Sequence, residues 1–250
     1  MLDVISAQRP EAPPPQPPRN PSDAESPPAP APLQPNTQAG VGPWVGPWPD
    51  DPRLDPELLA NGDSRNVVDQ FRYWRLEAIV AELGQRRHGF FVAIENWEHD
   101  FNIGAIVRTA NAFAAAGVHI VGRRRWNRRG AMVTDRYLPV WYHPEVADLQ
   151  VWASQEGLPI IGLDNLPGAE PLEQAALPRR CVLLFGSEGP GLSQAALAAC
   201  DQLLEITQYG STRSLNAGAA AAIAMYHWIL LHAAGTVAKG TGEPRSRLSR

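Results

Sequence analysis

The sequence predicts an α/β fold in which a mostly parallel sheet carries helices on both faces. Short apolar runs of four to six residues recur along the chain and alternate with longer segments of helical character. This alternation is typical of parallel strands joined by crossover helices. Of the 25 prolines, 17 lie at or before Pro56, so regular elements can form in the remainder. Hydrophobic residues make up 44% of the 250 residues, which suffices for a sizeable core.

The distribution of proline divides the chain into three parts. Residues 1–62 contain PPPQPP and PPAPAP runs, and because proline lacks a backbone donor we predict a disordered tail there. Residues 63–235 are predicted to form one domain, which begins with a helical extension over 63–88. Residues 236–250 are predicted to be a flexible C-terminal tail.

Charge and cysteine content limit the class of function. Residues 1–65 carry a net charge of −5 and residues 66–250 a net charge of +1, so any basic surface must be local. Cys181 and Cys200 offer neither a metal-binding spacing nor a disulfide framework, which favours a reducing, cytoplasmic location. We expect no signal peptide, and the alanine-rich segment 217–231 is too short for a membrane span.

The first predicted helix follows the tail. Asp63 or Ser64 can cap it, since both side chains accept hydrogen bonds from a first turn. Apolar side chains recur on one side of the segment up to about residue 87, and Gly84 and Gly89 bracket its end. The sequence therefore predicts one long helix at the start of the domain.

The remaining elements alternate between strands and helices. Five apolar runs that are bounded by turn residues are predicted as buried strands at 90–95, 118–122, 159–163, 181–185 and 203–206. Four helices are predicted between or after them at 103–116, 149–155, 193–199 and 215–231. Gly117 is expected to end the first of these helices, and Ser193 to cap the third.

The segment NIGAIVRTA, residues 102–110, opens the helix that follows the first strand. Asn102 lies at the expected start of that helix, and Arg108 follows six residues later. Gly104 and Ala105 are small enough for another element to pack closely against them. Taken alone, this segment also fits an ordinary helix with an asparagine cap and a surface arginine.

Two further loops have an unusual composition. LLFGSEGPGLS places three glycines and Glu188 at the end of a predicted strand, where ligand atoms can approach the backbone. It lacks both the Lys-Ser/Thr ending of a P-loop and the spacing of a dinucleotide fingerprint. The second loop, 209–216, runs directly into the alanine-rich helix. Ser214 is predicted to be the N-cap of that helix, with Asn216 in the first turn.

In this order, NIGAIVRTA, LLFGSEGPGLS and the stretch 206–219 with SLNAGAA resemble the SpoU-type RNA ribose 2′-O-methyltransferase family of the SPOUT superfamily. The resemblance covers roughly residues 88–233. Phe101 and Thr207 each replace a proline that is frequent in the family, and AGA replaces Val-Ser-Val at the start of the last helix. None of these departures removes a residue expected to touch the reacting groups.

The resemblance implies a parallel α/β sheet whose C-terminal part forms a deep trefoil knot. The knot loops, about 163–167, 186–191 and 206–215, would enclose S-adenosylmethionine in a bent form. The resemblance also implies a homodimer, with the last helix and the helix of the first motif at the interface, and a reaction without a metal. The residues implied for the cofactor are Gly186, Ile206, Leu215, Ser214 and Asn216.

The implied reaction transfers a methyl group from a sulfonium to a ribose 2′-hydroxyl, and the resemblance assigns activation of that hydroxyl to Arg108. Because a guanidinium is not deprotonated in proteins, we expect Arg108 to bind the adjacent phosphate and to stabilise the developing alkoxide. Asn102 would orient Arg108 or the ribose, and Glu188 would position these two side chains or accept the proton indirectly. Simple bracing of the loops remains an alternative for Glu188 and Asn216.

The segment GRRRWNRRG, residues 122–130, follows the second predicted strand. Arginine pairs with phosphates and stacks on bases, and tryptophan offers a stacking face. A solvated loop would also explain such a run of charge, but its place near the expected site favours contact with RNA. The predicted RNA-binding residues are Arg123, Arg124, Arg125, Trp126, Arg128 and Arg129.

These observations predict S-adenosylmethionine-dependent methylation of a ribose 2′-hydroxyl in structured RNA. The sequence leaves open whether that RNA is tRNA or rRNA. Two other functions also remain open at this point: an RNA-binding module of the same fold without turnover, and a relative that methylates a base.

Overall fold

The computed structural model describes residues 40–97 and 102–234, and its centre is a seven-stranded parallel sheet. The strands are β1 (Phe90–Asn96), β2 (Gly117–Gly122), β3 (Val140–His143), β4 (Ile160–Leu163), β5 (Glu170–Pro171), β6 (Cys181–Phe185) and β7 (Gln202–Glu205). Their order in the sheet is β3-β2-β1-β6-β4-β7-β5, and every neighbouring pair is parallel. The predicted α/β class with a mostly parallel sheet is therefore confirmed.

Helices cover both faces of the sheet. The described α-helices are α1 (Pro56–Asn61), α2 (Leu76–Gly84), α3 (Asn102–Ala112), α4 (Val146–Glu156), α5 (Gln194–Ala199) and α6 (Ala217–His232), and the last four cover the sheet. α3 and α6 pack into one apolar layer, and α4 and α5 into the other. Along β1, Val92 and Ile94 contribute to the first layer and Ala93 to the second, because successive side chains of a strand point to opposite faces.

The five predicted strands are all present, with ends that differ by at most one residue. β3 and β5 were not predicted. The helix predicted over 103–116 ends at Ala112, because the chain reaches a left-handed conformation at Ala114, with φ 49°. Among the described helices, none combines the length and the apolar character needed to cross a membrane. The trefoil knot stays a prediction, since strand order and register do not define how the chain threads.

The long helix predicted from Asp63 is wrong. Asp63 is fully buried, and its carboxylate accepts hydrogen bonds from the backbone N–H groups of Arg65 and Tyr73, at 3.0 and 2.9 Å. Tyr73 has φ 62°, which no continuous helix contains. The chain instead forms a short 3-10 turn, Asp69–Phe71, and then α2. Asp63 therefore serves as the centre of a folded loop and not as a helix cap.

The described part of the predicted tail, residues 40–62, packs on the domain. Val41 forms a two-stranded bridge with Asp63, and Leu59 of α1 is buried. Asp55 caps α1 by accepting from the backbone N–H of Glu57 at 2.9 Å. The predicted boundary at residue 62 thus falls inside the folded part. The rest of the predicted tails, and Phe101, lie outside the described residues.

Candidate active site

A pocket of about 480 Å³ opens at the carboxyl ends of β4, β6 and β7. Leu163, Phe185 and Leu204, at or next to the ends of these strands, contribute apolar surface to its wall. Ligands of parallel α/β sheets bind at this edge, and small-molecule sites span roughly 300–1,000 Å³. The wall also includes all five residues that were predicted for the cofactor: Gly186, Ile206, Ser214, Leu215 and Asn216.

One hydrogen-bonded network joins the three motif segments beside this pocket. Asn102, the first residue of α3, donates from Nδ2 to Glu188 Oε2 at 2.6 Å. Asn216 donates from Nδ2 to Asn102 Oδ1 at 2.9 Å and, at 3.4 Å, to Glu188 Oε1. Asn102 is buried, so its polar atoms depend on such partners. The structure therefore brings together three predicted site residues that lie 86 and 28 positions apart along the chain.

The start of α6 is part of the same network. Asn216 Oδ1 accepts hydrogen bonds from the backbone N–H groups of Gly218 and Ala219, at 3.0 and 3.2 Å. Asn216 is thus the N-cap, and the prediction that Ser214 caps this helix is wrong. One asparagine can fill both roles because its oxygen accepts from the helix while its amide N–H groups donate to the network. The position of α6 is consequently tied to that of Glu188.

The loop 186–191 requires glycine where it folds back on itself. A Cβ on Gly186 would lie 2.0 Å from the carbonyl carbon of Gly191. Gly191 has φ +74°, and a Cβ there would lie 2.3 Å from Asp164 Oδ2. The same Asp164 oxygen accepts from the backbone N–H of Leu192 at 2.8 Å. The glycines therefore allow the loop to pack against the residues that follow β4.

Glu95 supports this loop from behind, and the sequence analysis did not single it out. It is fully buried at the end of β1, where its carboxylate accepts from Trp97 Nε1 at 2.6 Å and from the backbone N–H of Ser193 at 2.8 Å. Its backbone carbonyl accepts from Ser187 Oγ at 3.1 Å. The only sequence signal was a carboxylate at the end of an otherwise apolar strand, FFVAIEN.

A second clasp links the loop after β4 to the loop before α6. Asn165 donates from Nδ2 to the carbonyl of Arg213 at 3.0 Å, across 48 positions of the chain. Both Asp164 and Asn165 line the pocket. The loop 163–167 was expected here, but neither side chain was assigned a role. The hydrogen bonds of Asp164 to Leu192 and of Asn165 to Arg213 hold together the walls that the three loops form.

Arg108 lies apart from the pocket wall. Ala105, Arg108 and Ala112 form the exposed side of α3, whose opposite side is buried against the sheet. Within the part of the chain that the structure describes, no hydrogen bond or ion pair involves the Arg108 guanidinium. Within one chain, Asn102 and Glu188 are therefore in contact, whereas the predicted catalytic Arg108 lies on an exposed helix surface away from them.

The arginine loop, residues 123–131, is fixed through its backbone. Asn96, at the end of β1, donates from Nδ2 to the carbonyls of Arg123 and Arg125, at 2.6 and 3.1 Å. The loop also packs on α3, where a Cβ on Gly104 would lie 2.8 Å from Gly130 Cα. The five arginines in the loop are exposed. A rigid backbone therefore presents guanidinium groups to solvent beside α3.

Trp126 has a different environment from the arginines around it. Its ring is half-buried against the core, and its Nε1 donates to Tyr142 Oη at 3.3 Å. Arg124 lies over the Tyr142 ring at 5.0 Å, and Arg128 forms an ion pair with Asp135 at 3.5 Å. Trp126 therefore anchors the loop, and the predicted open stacking face on its ring is partly covered.

A ligand pocket at the carboxyl edge of a parallel sheet, enclosed by three loops that share one polar network, defines a ligand-binding α/β domain. Residues 89–226 match the SpoU rRNA methylase family, so the chain belongs to that family.

Related proteins agree with this assignment. The chain is 32% identical over 174 residues to an uncharacterized tRNA/rRNA methyltransferase of Mycobacterium leprae, and the match covers 63% of this chain and 52% of that protein. It is 28% identical to the tRNA (guanosine(18)-2′-O)-methyltransferase of Escherichia coli K12, over 61% of this chain and 68% of that protein. The chain spans about half the length of the Mycobacterium relatives that it matches.

A solved structure shows the same architecture. The SpoU methyltransferase AviRb from Streptomyces viridochromogenes, in complex with AdoMet, superimposes with a TM-score of 0.53. The two chains share 25% sequence identity, and the match covers 58% of each. The match agrees with the α/β fold described above.

Proposed function

We propose that this protein methylates a ribose 2′-hydroxyl of structured RNA with S-adenosylmethionine as the methyl donor. The network of Asn102, Glu188 and Asn216 beside the pocket carries the proposal, because it joins the three family motifs at one point. Its relatives include a tRNA 2′-O-methyltransferase and a methyltransferase in complex with AdoMet. The network's position supports both the donor pocket and a neighbouring place for ribose.

The pocket fits such a methyl donor. Its volume, about 480 Å³, is in the range of nucleoside-sized ligands. Apolar side chains of Leu163, Phe185 and Ile206 suit the flat faces of a base, and the glycine-containing loop 186–191 forms another part of the wall. When bound, S-adenosylmethionine supplies an electrophilic methyl group on a sulfonium.

The side chains of the network would hold the RNA for reaction. Glu188 and Asn216 fix the amide of Asn102, so Asn102 would orient the ribose without rearrangement. Glu188 is the acceptor to which the hydroxyl proton would pass indirectly. Because a guanidinium is not deprotonated in proteins, Arg108 would bind the adjacent phosphate and stabilise negative charge on the 2′-oxygen.

A homodimer would cover the exposed side of α6. Ile223, Tyr226 and Leu230 follow one another at helical spacing and are 42%, 51% and 50% exposed. α3 packs beside α6, so the same interface would include the exposed side of α3 that carries Arg108. We propose that Arg108 serves a site which the second chain completes, since it is not on the wall of its own pocket. Such a twofold interface is the commonest way in which proteins oligomerise.

The arginine loop is the proposed contact for RNA phosphates, and the substrate is tRNA or rRNA, as in the related enzymes. An enzyme acting on these RNAs would work in the cytoplasm. Five exposed arginines on a fixed backbone give a local basic surface on a domain that is near neutral overall.

Transfer of a labelled methyl group tests the function. The purified chain would be incubated with S-[methyl-³H]adenosylmethionine and bulk cellular RNA, and the RNA would then be digested to nucleosides. We expect label on ribose 2′-O-methyl nucleosides. Label on a base would show a base methyltransferase, and RNA binding without label would show a non-catalytic module.

A further inference from the structure

Two adjacent residues that directly follow the arginine loop have a strained backbone. Met132 has φ 47° and Val133 has φ 67°, in the left-handed region that residues with a Cβ rarely adopt. Valine is branched at Cβ, which makes this conformation especially unfavourable for it. Among the described residues, no other two adjacent non-glycine residues both have positive φ. This pair, here named the apolar tip, therefore has a conformation that its own residue types disfavour.

The residues on either side hold the apolar tip in this conformation. Ala131 and Thr134 are buried, and Thr134 Oγ1 donates to the carbonyl of Ala131 at 2.6 Å. The backbone N–H of Met132 donates to the carbonyl of Arg129 at 3.2 Å. The side chains of Met132 and Val133 are nevertheless 50% and 51% exposed, so they add little to the core. Backbone strain that the fold maintains in this way is concentrated at functional sites.

The apolar tip lies on the side of the domain that carries Arg108. The 3-10 turns before and after the tip, Arg128–Ala131 and Thr134–Arg136, both pack on α3. Gly130 of the first turn closely approaches Gly104 of α3. Arg108 follows Gly104 by four residues and therefore lies on the same side of that helix. The arginine loop, the apolar tip and Arg108 thus belong to one surface.

The charges around the apolar tip favour RNA as its partner over a second copy of the chain. Arg129 and Arg136 are exposed on either side of the tip. Asp135 is the only carboxylate within residues 123–136, and it already forms an ion pair with Arg128. Two copies that met through this surface would bring like charges together, which is unfavourable. RNA would instead offer phosphates to the arginines and the flat apolar face of a base to the tip.

We infer that Met132 and Val133 contact the face of an unstacked RNA base, close to the nucleotide whose ribose reacts. The inference rests on the proposed function, since it takes RNA to be the substrate. Methionine and other apolar side chains are used in this way by proteins that separate stacked bases. Bases of a continuous duplex are stacked on both faces, so the preferred substrate has unpaired nucleotides, as in a loop. The apolar tip then selects the RNA structure, whereas the arginine loop binds its phosphates.

The test compares a chain that carries both Met132→Asn and Val133→Asn with the wild type. Asparagine tolerates positive φ, so the double substitution keeps the backbone and removes the apolar surface. Filter binding would give the Kd of bulk tRNA, whose loops contain unpaired nucleotides, and of a continuous RNA duplex with the same number of phosphates. We expect the variant to bind tRNA roughly three- to tenfold more weakly, because two half-exposed apolar side chains no longer contact a base. The Kd of the duplex should not change.

Further measurements separate a contact with a base from other effects. The slope of log K against log[salt] for tRNA should stay the same, because the variant retains every arginine. The Tm of the variant should equal or exceed that of the wild type, because asparagine relieves the strain. Val151→Asn is the matched control, since Val151 is 58% exposed on α4, which covers the other face of the sheet. It should change neither Kd.

The remaining outcomes overturn the inference or separate it from the proposed function. An unchanged Kd for tRNA, or an equal loss of affinity for tRNA and duplex, would exclude a contact with an unstacked base. A Tm several degrees lower would show that the pair serves the fold, and dissociation of an oligomer in light scattering would show that a second copy covers it. Either result would overturn the inference. If the variant loses the preference for tRNA but the wild type transfers no methyl group to any RNA, the base contact stands and the proposed function fails.

Discussion

The pocket network and the arginine loop treat polar groups in opposite ways. In the network, Asn102, Glu188 and Asn216 bind one another and have little freedom. In the arginine loop, the backbone is held by Asn96 while the arginine side chains extend into solvent. The first arrangement suits a reaction that needs fixed geometry, and the second suits a flexible, charged partner.

The two regions also differ in the conformational entropy that their side chains lose when a ligand binds. Side chains that are already paired lose little conformational entropy when a ligand arrives, whereas exposed arginine side chains must be immobilised on binding. Fixing the loop backbone in advance reduces that loss to the side chains alone. We therefore expect substitutions in the two regions to affect different quantities, namely the rate of transfer and the affinity for RNA.

The largest effect is expected for Arg108→Ala, which tests whether the free helix surface belongs functionally with the network. Removal of one charge-stabilising group lowers rates by about 10²–10³-fold, so methyl transfer should fall by that factor. The Kd of S-adenosylmethionine should not change, because Arg108 is outside the pocket wall. Arg179→Ala, an exposed arginine preceding the amino end of β6, is the control and should leave the rate intact. Full activity of Arg108→Ala would contradict its catalytic assignment.

Neutralising the arginine loop should act on RNA binding alone. We propose the triple substitution of Arg123, Arg125 and Arg129 by alanine, which spares the arginines paired with Tyr142 and Asp135. RNA affinity should fall by on the order of tenfold or more, and the slope of log K against log[salt] should lessen by about 2 units if each arginine neutralises one phosphate. Filter binding at several salt concentrations measures both quantities. An unchanged slope would show that these arginines do not contact phosphate.

A mixture of two inactive variants tests whether Arg108 and Glu188 act in the same chain. If a homodimer places Arg108 at the partner's pocket, Arg108→Ala mixed with Glu188→Ala restores about a quarter of the wild-type activity. The factor follows because half of the dimers are mixed and one of their two sites is intact. Co-refolded or co-expressed chains would be assayed for methyl transfer. Persistent inactivity of the mixture would place both residues in one chain's site.

The smallest effect is expected from a pair of histidines, His119 and His143, on the face of the sheet that α4 covers. His119 is fully buried, with Nδ1 2.7 Å from His143 Nε2 and its ring centroid 3.9 Å from that of Trp152. Burial lowers the pKa of His119 from its usual 6.5 to about 3, and burial also lowers the pKa of His143 despite the opposing charge of Asp148.

Because of this histidine pair, the free energy of unfolding should decrease at acidic pH. The unfolded chain binds a proton near pH 6.5 while the folded chain does not, so stability should fall as pH decreases from about 6.5 towards 3. The slope is at most about 1.4 kcal/mol per pH unit for each group. Urea unfolding at pH 7.5, 6.0 and 5.0 would measure it. His119→Phe should reduce the slope, and an identical slope would exclude the pair as its cause.

The sequence was informative where a local pattern determines the structure. Each of the five predicted strands is an apolar run between turn residues. Such runs are typical of strands in a parallel sheet, because helices cover both faces of the sheet. β3 was missed because it lies at the edge of the sheet, where Trp141 is exposed and the apolar pattern is broken. β5 has only two residues and leaves no pattern to detect.

The predicted and unpredicted site residues differ in the same way. Asn102 begins a helix, and Glu188 and Asn216 lie in loops, and each of these segments has an unusual composition in itself. Glu95 is a single carboxylate, and the groups it binds at Ser187 and Ser193 are 92 and 98 positions away. No local pattern signals such a contact, since it exists only once the sheet has formed.

The N-terminal error has a related cause. Asp63 and Ser64 are good helix caps in isolation, and the apolar spacing after them is compatible with a helix. In the folded chain, the Asp63 carboxylate instead binds Arg65 and the backbone of Tyr73, ten residues further on. A tertiary contact thereby outweighs the local preference, which a pattern of neighbours cannot reveal.

Two adjacent residues at the end of β1 hold two different loops in place. Glu95 fastens the glycine-containing loop beside the pocket, and Asn96 fastens the backbone of the arginine loop. Because these anchors are consecutive residues of one strand, they hold the backbones of the two loops close to each other, and under the proposed function this arrangement would limit the distance between a bound phosphate and the transferred methyl group. The choice of nucleotide along an RNA strand would then follow from this built-in span, without any need to read the sequence of the bases.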